Sequence, residues 1–135
     1  MYKHILVPIS FDQDRDAQGA IDIANTLAAE GAQISLVHVI EQVPGFAAAY
    51  VPPDFLTKQR ARVEEDLEAL ASKVENATPV VISGHAGRSL IDWSAAHDVD
   101  CIVIASHRPG MHDLLLGSTA AKVVRHAGCA VHVLR

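Results

Sequence analysis

The residues best equipped for chemistry lie in one stretch, Ser106-His107-Arg108-Pro109-Gly110-Met111-His112-Asp113-Leu114-Leu115-Leu116-Gly117-Ser118-Thr119. It joins a short aliphatic run to a segment of helical period. Where Gly117-Ser118-Thr119 opens that helix, free backbone N–H groups and two hydroxyls make a ready anion site. A phosphate there would gain on the order of 0.3 to 2 kcal/mol from the helix dipole, and Arg108 could add a cation. The same residues also read as ordinary helix capping by Ser118 or Thr119. Neither GxxxxGK[ST] nor GxGxxG occurs, so the P-loop mechanism and the dinucleotide fingerprint are both excluded.

Other chemistries find less support. There are eight histidines, yet no HExxH or other close ligand pair, and no metal site is assigned. His38 and His132 fall inside strand-like runs, where a satisfied structural histidine is the expectation. His107 and His112 share one loop, and with His85 and Asp12 they could converge. Ser106 is flanked by Ala105 and His107 rather than set in GxSxG, so it is no nucleophile elbow. No catalytic residue is assigned. The acids of Asp12-Gln13-Asp14-Arg15-Asp16 suit a helix start, and those of Glu64-Glu65-Asp66-Leu67-Glu68 a solvated helix face. Carboxylates could hold Mg²⁺ on a nucleotide, though nothing in the spacing demands it. Cys101 and Cys129 each sit in an aliphatic run without CxxC spacing and read as buried thiols.

Five aliphatic runs must position these groups: Ile5 to Ile9, Ile34 to Ile40, Val80 to Ile82, Cys101 to Ala105 and Ala130 to Leu134. Each is short and rich in β-branched residues, hence a strand. Several are apolar at consecutive positions, as a strand covered on both faces requires. Between them the helical period recurs: Ala17, Ala20, Ile21, Ala24, Leu27 and Ala28; Val63, Leu67, Leu70, Ala71 and Val74; Leu90, Ile91 and Ala95; Ala120, Val123, Val124 and Ala127. Gly31 and Gly128 read as helix stops. The order β-α-β-α-β-α-β-α-β with right-handed crossovers implies a doubly wound three-layer α/β/α sandwich, and 135 residues suit a single domain spanning 1–135. Ligands then bind beyond the carboxyl ends of the strands. Those ends carry Pro8-Ile9-Ser10, Val39-Ile40, Ser83-Gly84-His85 and Ser106-His107-Arg108-Pro109, polar at every point except the second.

Composition narrows the partners. Half the chain is apolar, with three Phe, two Tyr and one Trp, and the formal net charge is −5. That balance argues against disorder and against a phosphate-tracking nucleic-acid binder. No segment is long and apolar enough to span a membrane and the first residues lack a signal layout, so the expected compartment is the cytoplasm. The stretch Gln42 to Asp54 (QVPGFAAAYVPPD) is long and apolar for a connection. It reads either as a lid or partner-contact loop, or as a loop that tucks Phe46 and Tyr50 against the domain.

The chain resembles the universal stress proteins along nearly its whole length. The opening Ile5-Leu6-Val7-Pro8, the run Leu36-Val37-His38-Val39-Ile40 and the closing Ile102 to Pro109 and Leu115 to Val131 carry the likeness. The branch with Ser-His-Arg-Pro after strand four and Leu-Leu-Gly-Ser before the last helix is the most similar. The resemblance implies a five-stranded parallel sheet in the order 3-2-1-4-5, of the adenine nucleotide alpha hydrolase-like kind. It implies binding of an adenine nucleotide, ATP above all, through a G-x-x-G-x9-G-[ST] pattern. Here Ala105 and Arg108 replace the first two glycines, the second spacing is eight, and Ser10 stands where the family usually has an Asp. Carried over, Pro8, Ile9 and Ser10 border the adenosine, Val39 and Ile104 form apolar walls, and Ala105 lies by the ribose. Gly117, Ser118 and Thr119 hold the phosphates, while Ser106, His107, Arg108 and Gly110 belong to the loop. The resemblance further implies a homodimer through the last strand, with Val131, His132, Val133 and Leu134 at the interface. The leading expectation is a stress-response binding module rather than a fast enzyme. The alternatives are a dimeric interaction protein without nucleotide and a small nucleotide hydrolase using His107 or His112.

Overall fold

Five strands form one parallel sheet in a computed structural model that describes residues 1–11, 17–42, 44–106 and 116–135. The strands are β1 (Tyr2–Pro8), β2 (Ala28–Ile40), β3 (Ala77–Ser83), β4 (Cys101–Ala105) and β5 (Ala130–Leu134). Helices α1 (Ala17–Leu27), α2 (Gly45–Ala48), α3 (Phe55–Ala71), α4 (Ala86–Ala96) and α5 (Ser118–His126) connect them. The sheet order is β3-β2-β1-β4-β5, the order that the family resemblance implies, and each neighbouring pair is parallel.

Consecutive burial follows from coverage on both faces. Ile5, Leu6 and Val7 are all fully buried, but alternate residues serve opposite layers. Ile5, Val7, Leu36, Cys101 and Val103 pack with Ala20, Ile21 and Ala24 of α1 and Leu67 of α3. Leu6, Val37, Ile102 and Ile104 pack with Leu90 of α4 and Ala120 and Val123 of α5. Each fully buried Leu, Ile or Val contributes about 1.5–3 kcal/mol by leaving water. Cys101 is buried in the first layer, whereas Cys129 is only half-buried against the second. Burial pushes the Cys101 thiol up to about 11.

Element ends depart from the periodicity. Helix α1 stops at Leu27, before Gly31, because Ala28 already pairs with Tyr2 of β1. Gly31 lies inside β2 at φ +75°, where the register with β1 shifts. Helix α3 begins at Phe55, so its first eight residues, all exposed, precede the apolar period that starts at Val63. The short helix α2 is an added element within residues 42–54. Gly128 has no positive φ, and α5 ends through Ala127 turning extended.

The amino ends of the strands are tied by polar contacts. Lys3 and His4 donate their backbone N–H groups to the Asp100 carboxylate at 2.9 and 3.0 Å. Desolvation alone would raise the Asp100 carboxyl, but these N–H groups outweigh it and hold it below its ordinary value. The His4 ring donates from Nδ1 to the His97 carbonyl at 2.9 Å and accepts at Nε2 from Ser35 Oγ at 2.7 Å. His97 in turn stacks on Trp93, ring centroids 3.9 Å apart.

Candidate functional site

The strands are added outward from β1 to β3 on one side and from β4 to β5 on the other, so the strand order switches between the parallel neighbours β1 and β4, and a crevice opens beyond their carboxyl ends there. It holds a cavity of about 280 Å³. Pro8, Ile9 and Ser10 line it from the end of β1, Ile104 and Ala105 from β4, and Val37, His38, Val39 and Glu41 from β2 and just beyond. Ala17 and Ala20 of α1, Ala86 and Leu90 of α4, and Thr119 of α5 complete the wall. The small residues at these helix positions leave room that larger side chains would fill.

The β1 end is held in place by β2. Ile9 continues the ladder by donating its N–H to the Val37 carbonyl at 2.8 Å. The His38 ring, half-buried, donates from Nδ1 to the Ile9 carbonyl at 2.8 Å. His38 therefore is the satisfied strand histidine expected, and it also faces the cavity. The Phe11 ring packs on it with centroids 5.3 Å apart.

The start of α5 is set by Gly117. Its N–H donates to the Ser106 carbonyl at 3.0 Å. A Cβ on Gly117 would collide with that carbonyl oxygen, so only glycine fits, for reasons of close approach rather than of φ, which is −58°. Gly117 is itself the N-cap, and among the described residues no side chain caps the helix. The expectation of capping by Ser118 or Thr119 is thereby corrected: both lie within the first turn, too far along to serve as N-cap. The first-turn N–H groups are left for another acceptor.

Not every expected site residue reaches the cavity. Ser106 is fully buried and does not line it. Its N–H donates to Leu134 O at 2.9 Å and its carbonyl receives Gly117, which fixes it beneath the start of α5. Its hydroxyl has no hydrogen-bond partner among the described residues. Gly117 and Ser118 border the helix start without lining the cavity. His107, Arg108 and Gly110, with His112 and the Asp12–Asp16 acids, lie outside the described residues. Among the described residues no group of three or more His, Cys, Asp or Glu is placed to hold a metal. His38 and Glu41 were missed because the end of β2 read as apolar. Their signal was the polar spacing His38-x-x-Glu41 at a strand end.

Of the expected interface residues, Val131 and Val133 pack partly into the core, Leu134 is half-buried and His132 is exposed. All lie on β5, an outer strand. The opposite outer strand, β3, is guarded. Pro79 lacks an N–H, and Arg60 of α3 donates to Val81 O at 3.1 Å and Ser83 Oγ at 3.3 Å. In residues 42–54 the tucked reading fails: Phe46 and Tyr50 are 84% and 88% exposed.

The universal stress protein family model matches residues 1–135. The chain belongs to that family. Universal stress protein A homolog 2 of Coxiella burnetii is 30% identical over 142 residues, covering 99% of this chain and 95% of the relative. Three solved universal stress proteins share the fold. That of Lactobacillus plantarum has a TM-score of 0.70 at 22% identity, covering 99% of this chain and 98% of its own. An Arabidopsis thaliana member with AMP bound scores 0.64 at 14%, covering 98% and 90%. An Archaeoglobus fulgidus member in complex with dAMP scores 0.64 at 16%, covering 99% and 98%. Among the described residues of this universal stress protein, no helix is long and apolar enough to cross a membrane.

Proposed function

We propose that this universal stress protein is a cytoplasmic, homodimeric module that binds an adenine nucleotide, ATP above all and with Mg²⁺ on its phosphates, and that it is not a fast enzyme. The observation that carries this reading is the cavity between β1 and β4 ending at the uncapped first turn of α5. Apolar walls from Val39 and Ile104 suit a base, and the first-turn N–H groups beyond Gly117, which have no partner within the helix, suit phosphates. Gly117 is what allows the helix to start here, since a Cβ at that position would collide with the Ser106 carbonyl oxygen. The AMP and dAMP complexes of the two fold relatives add support. Calorimetry with AMP, ADP and ATP, with and without Mg²⁺, tests the proposal, together with mass spectrometry of whatever the denatured protein releases. Absence of heat at millimolar nucleotide and of any released adenine compound would sink it.

The homodimer reading rests on the asymmetry of the two outer strands, since β3 is guarded and β5 is not. Val133→Asp should give a monomer by size-exclusion with light scattering, and a surviving dimer would place the interface elsewhere. A turnover assay with ATP is expected to show hydrolysis far below ordinary enzyme rates.

A second reading, an interaction protein without nucleotide, draws on the exposed Phe46 and Tyr50. A separate cavity of about 540 Å³ lies along α3, where Phe11, Pro52, Phe55 and Val63 share the wall with Asp54, Lys58, Gln59, Arg62 and Asp66. Failure of the calorimetry combined with an intact dimer would favour it.

A further inference from the structure

We propose that His38 is a specificity-determining residue of the β1–β4 cavity, whose unprotonated Nε2 selects a purine carrying a 6-amino group. This inference rests on the adenine-nucleotide reading. A carbonyl oxygen only accepts, so the 2.8 Å contact from Nδ1 to the Ile9 carbonyl requires the proton on Nδ1. In the neutral ring Nε2 is then an obligate acceptor. It has no partner among the described residues, and His38 lines the cavity.

The ring cannot easily turn to offer a donor instead. Ile9 holds one edge, and the Phe11 ring covers it at 5.3 Å and a 40° tilt. The Ile9 backbone is itself anchored to Val37. Glu41 adds a second acceptor at the same end of the cavity, and no Lys or Arg lines it among the described residues. With the Nδ1 proton committed to Ile9, the free ring nitrogen and the Glu41 side chain both present acceptors on this wall. The edge of a ligand that meets them must donate. A 6-amino group supplies two N–H donors, whereas a 6-oxo group at that position offers only lone pairs and an unsubstituted carbon offers nothing. Leaving such an acceptor unpaired is what makes a polar site discriminate.

The test measures affinity for AMP, for purine riboside 5′-monophosphate, which lacks the 6-amino group, and for IMP, with the wild-type chain and with His38→Asn. The Asn amide places an N–H where Nδ1 stands, so it retains the tie to Ile9 while deleting Nε2. The wild-type chain should bind AMP about tenfold tighter than either analogue, and His38→Asn should narrow that preference to about twofold. Nitrogen NMR of ring-labelled wild-type protein should show the Nδ1–H tautomer, with the Nε2 resonance moving on addition of AMP and not of purine riboside monophosphate. AMP binding with an unchanged preference in His38→Asn, or an Nε2–H tautomer, would overturn the role of His38 and leave the nucleotide reading standing. Failure of all three nucleotides to bind the wild-type chain would remove both. Should His38→Asn not fold, the NMR on the wild-type chain still decides the proposal.

Discussion

Gly117→Ala isolates the close approach that sets the start of α5. The new Cβ meets the Ser106 carbonyl oxygen, with the carbonyl carbon at 3.4 Å behind it, and no rotamer change can relieve a contact between backbone and Cβ. The helix start must move, which weakens the Gly117 N–H bond to Ser106, worth about 0.5–1.5 kcal/mol. Strain in the displaced turn adds a similar amount. Against this, alanine restricts the unfolded chain and returns about 0.4–1 kcal/mol. The net loss should be about 0–2.6 kcal/mol, or up to roughly 8 °C in Tm for a chain of this length, and about 1–3 kcal/mol relative to an alanine substitution at a glycine whose Cβ meets nothing. Two other glycines serve as controls. Gly128→Ala has nothing within 4 Å and an ordinary φ, so it should be neutral or slightly stabilising. Gly31→Ala is equally open, yet φ +75° should cost it about 1–2 kcal/mol. Chemical denaturation of the three variants gives the ranking. If Gly117→Ala matches Gly128→Ala, the steric account of the α5 start is wrong. Because the same movement displaces the first-turn N–H groups, Gly117→Ala should also weaken AMP binding more than Gly31→Ala does.

Three further predictions follow from burial and charge. The Asp100 carboxyl is depressed in the folded chain, so its contribution is present above its unfolded pKa and lost as pH falls through the folded one. Asp100→Asn should therefore lower stability at pH 7 and flatten the acid limb, and an unaltered limb in pH-dependent denaturation would refute this. Cys101, pushed up to about 11 and buried, should resist alkylation at pH 8 while the fold persists. Peptide mapping after iodoacetamide would show rapid labelling if that is wrong. Phe46→Ser and Tyr50→Ser should each change stability by less than about 0.5 kcal/mol, because neither ring is packed. A loss above about 1 kcal/mol in urea titrations would mean that residues 42–54 are anchored through these rings.

The sheet was legible because coverage on both faces forces aliphatic residues into consecutive positions, and Ile5-Leu6-Val7 and Ile102-Val103-Ile104 display that directly. Strand-end logic then located Pro8, Ile9, Ser10 and Val39, the helix-start argument located Thr119, and the family resemblance implied Ile104 and Ala105; all seven line the cavity. It misplaced Ser106 because a residue one step past a strand belongs to whichever neighbours claim its backbone. Here Leu134 and Gly117 claim it, and they draw the side chain into the interior. His38 was hidden for the converse reason. A histidine within Leu36-Val37-His38-Val39 reads as a core residue, and only the bond to Ile9, 29 positions away, shows that the core role and the cavity role coincide. Helix ends were obscured by pairing partners distant in sequence: Tyr2 ends α1 early, and no local signal announces it.

The distribution of the few aromatic rings bears on how such a site can hold a base. Trp93 is committed to the amino ends of the strands with His4 and His97. Phe46 and Tyr50 face solvent, Phe55 is nearly half exposed, and Phe11 covers His38. None of these lines the β1–β4 cavity. A base bound as proposed would lie against aliphatic walls such as Val39 and Ile104, so dispersion and apolar burial would hold any planar ring about equally well. Discrimination must come from its edges, where one acceptor more or less decides the affinity. With net charge −5 and Glu41 on the wall, phosphates likewise gain little from the chain as a whole and depend on oriented backbone N–H groups. In the proposed complex the His38 ring, tied to Ile9, and the glycine-built start of α5 would supply those two kinds of direction.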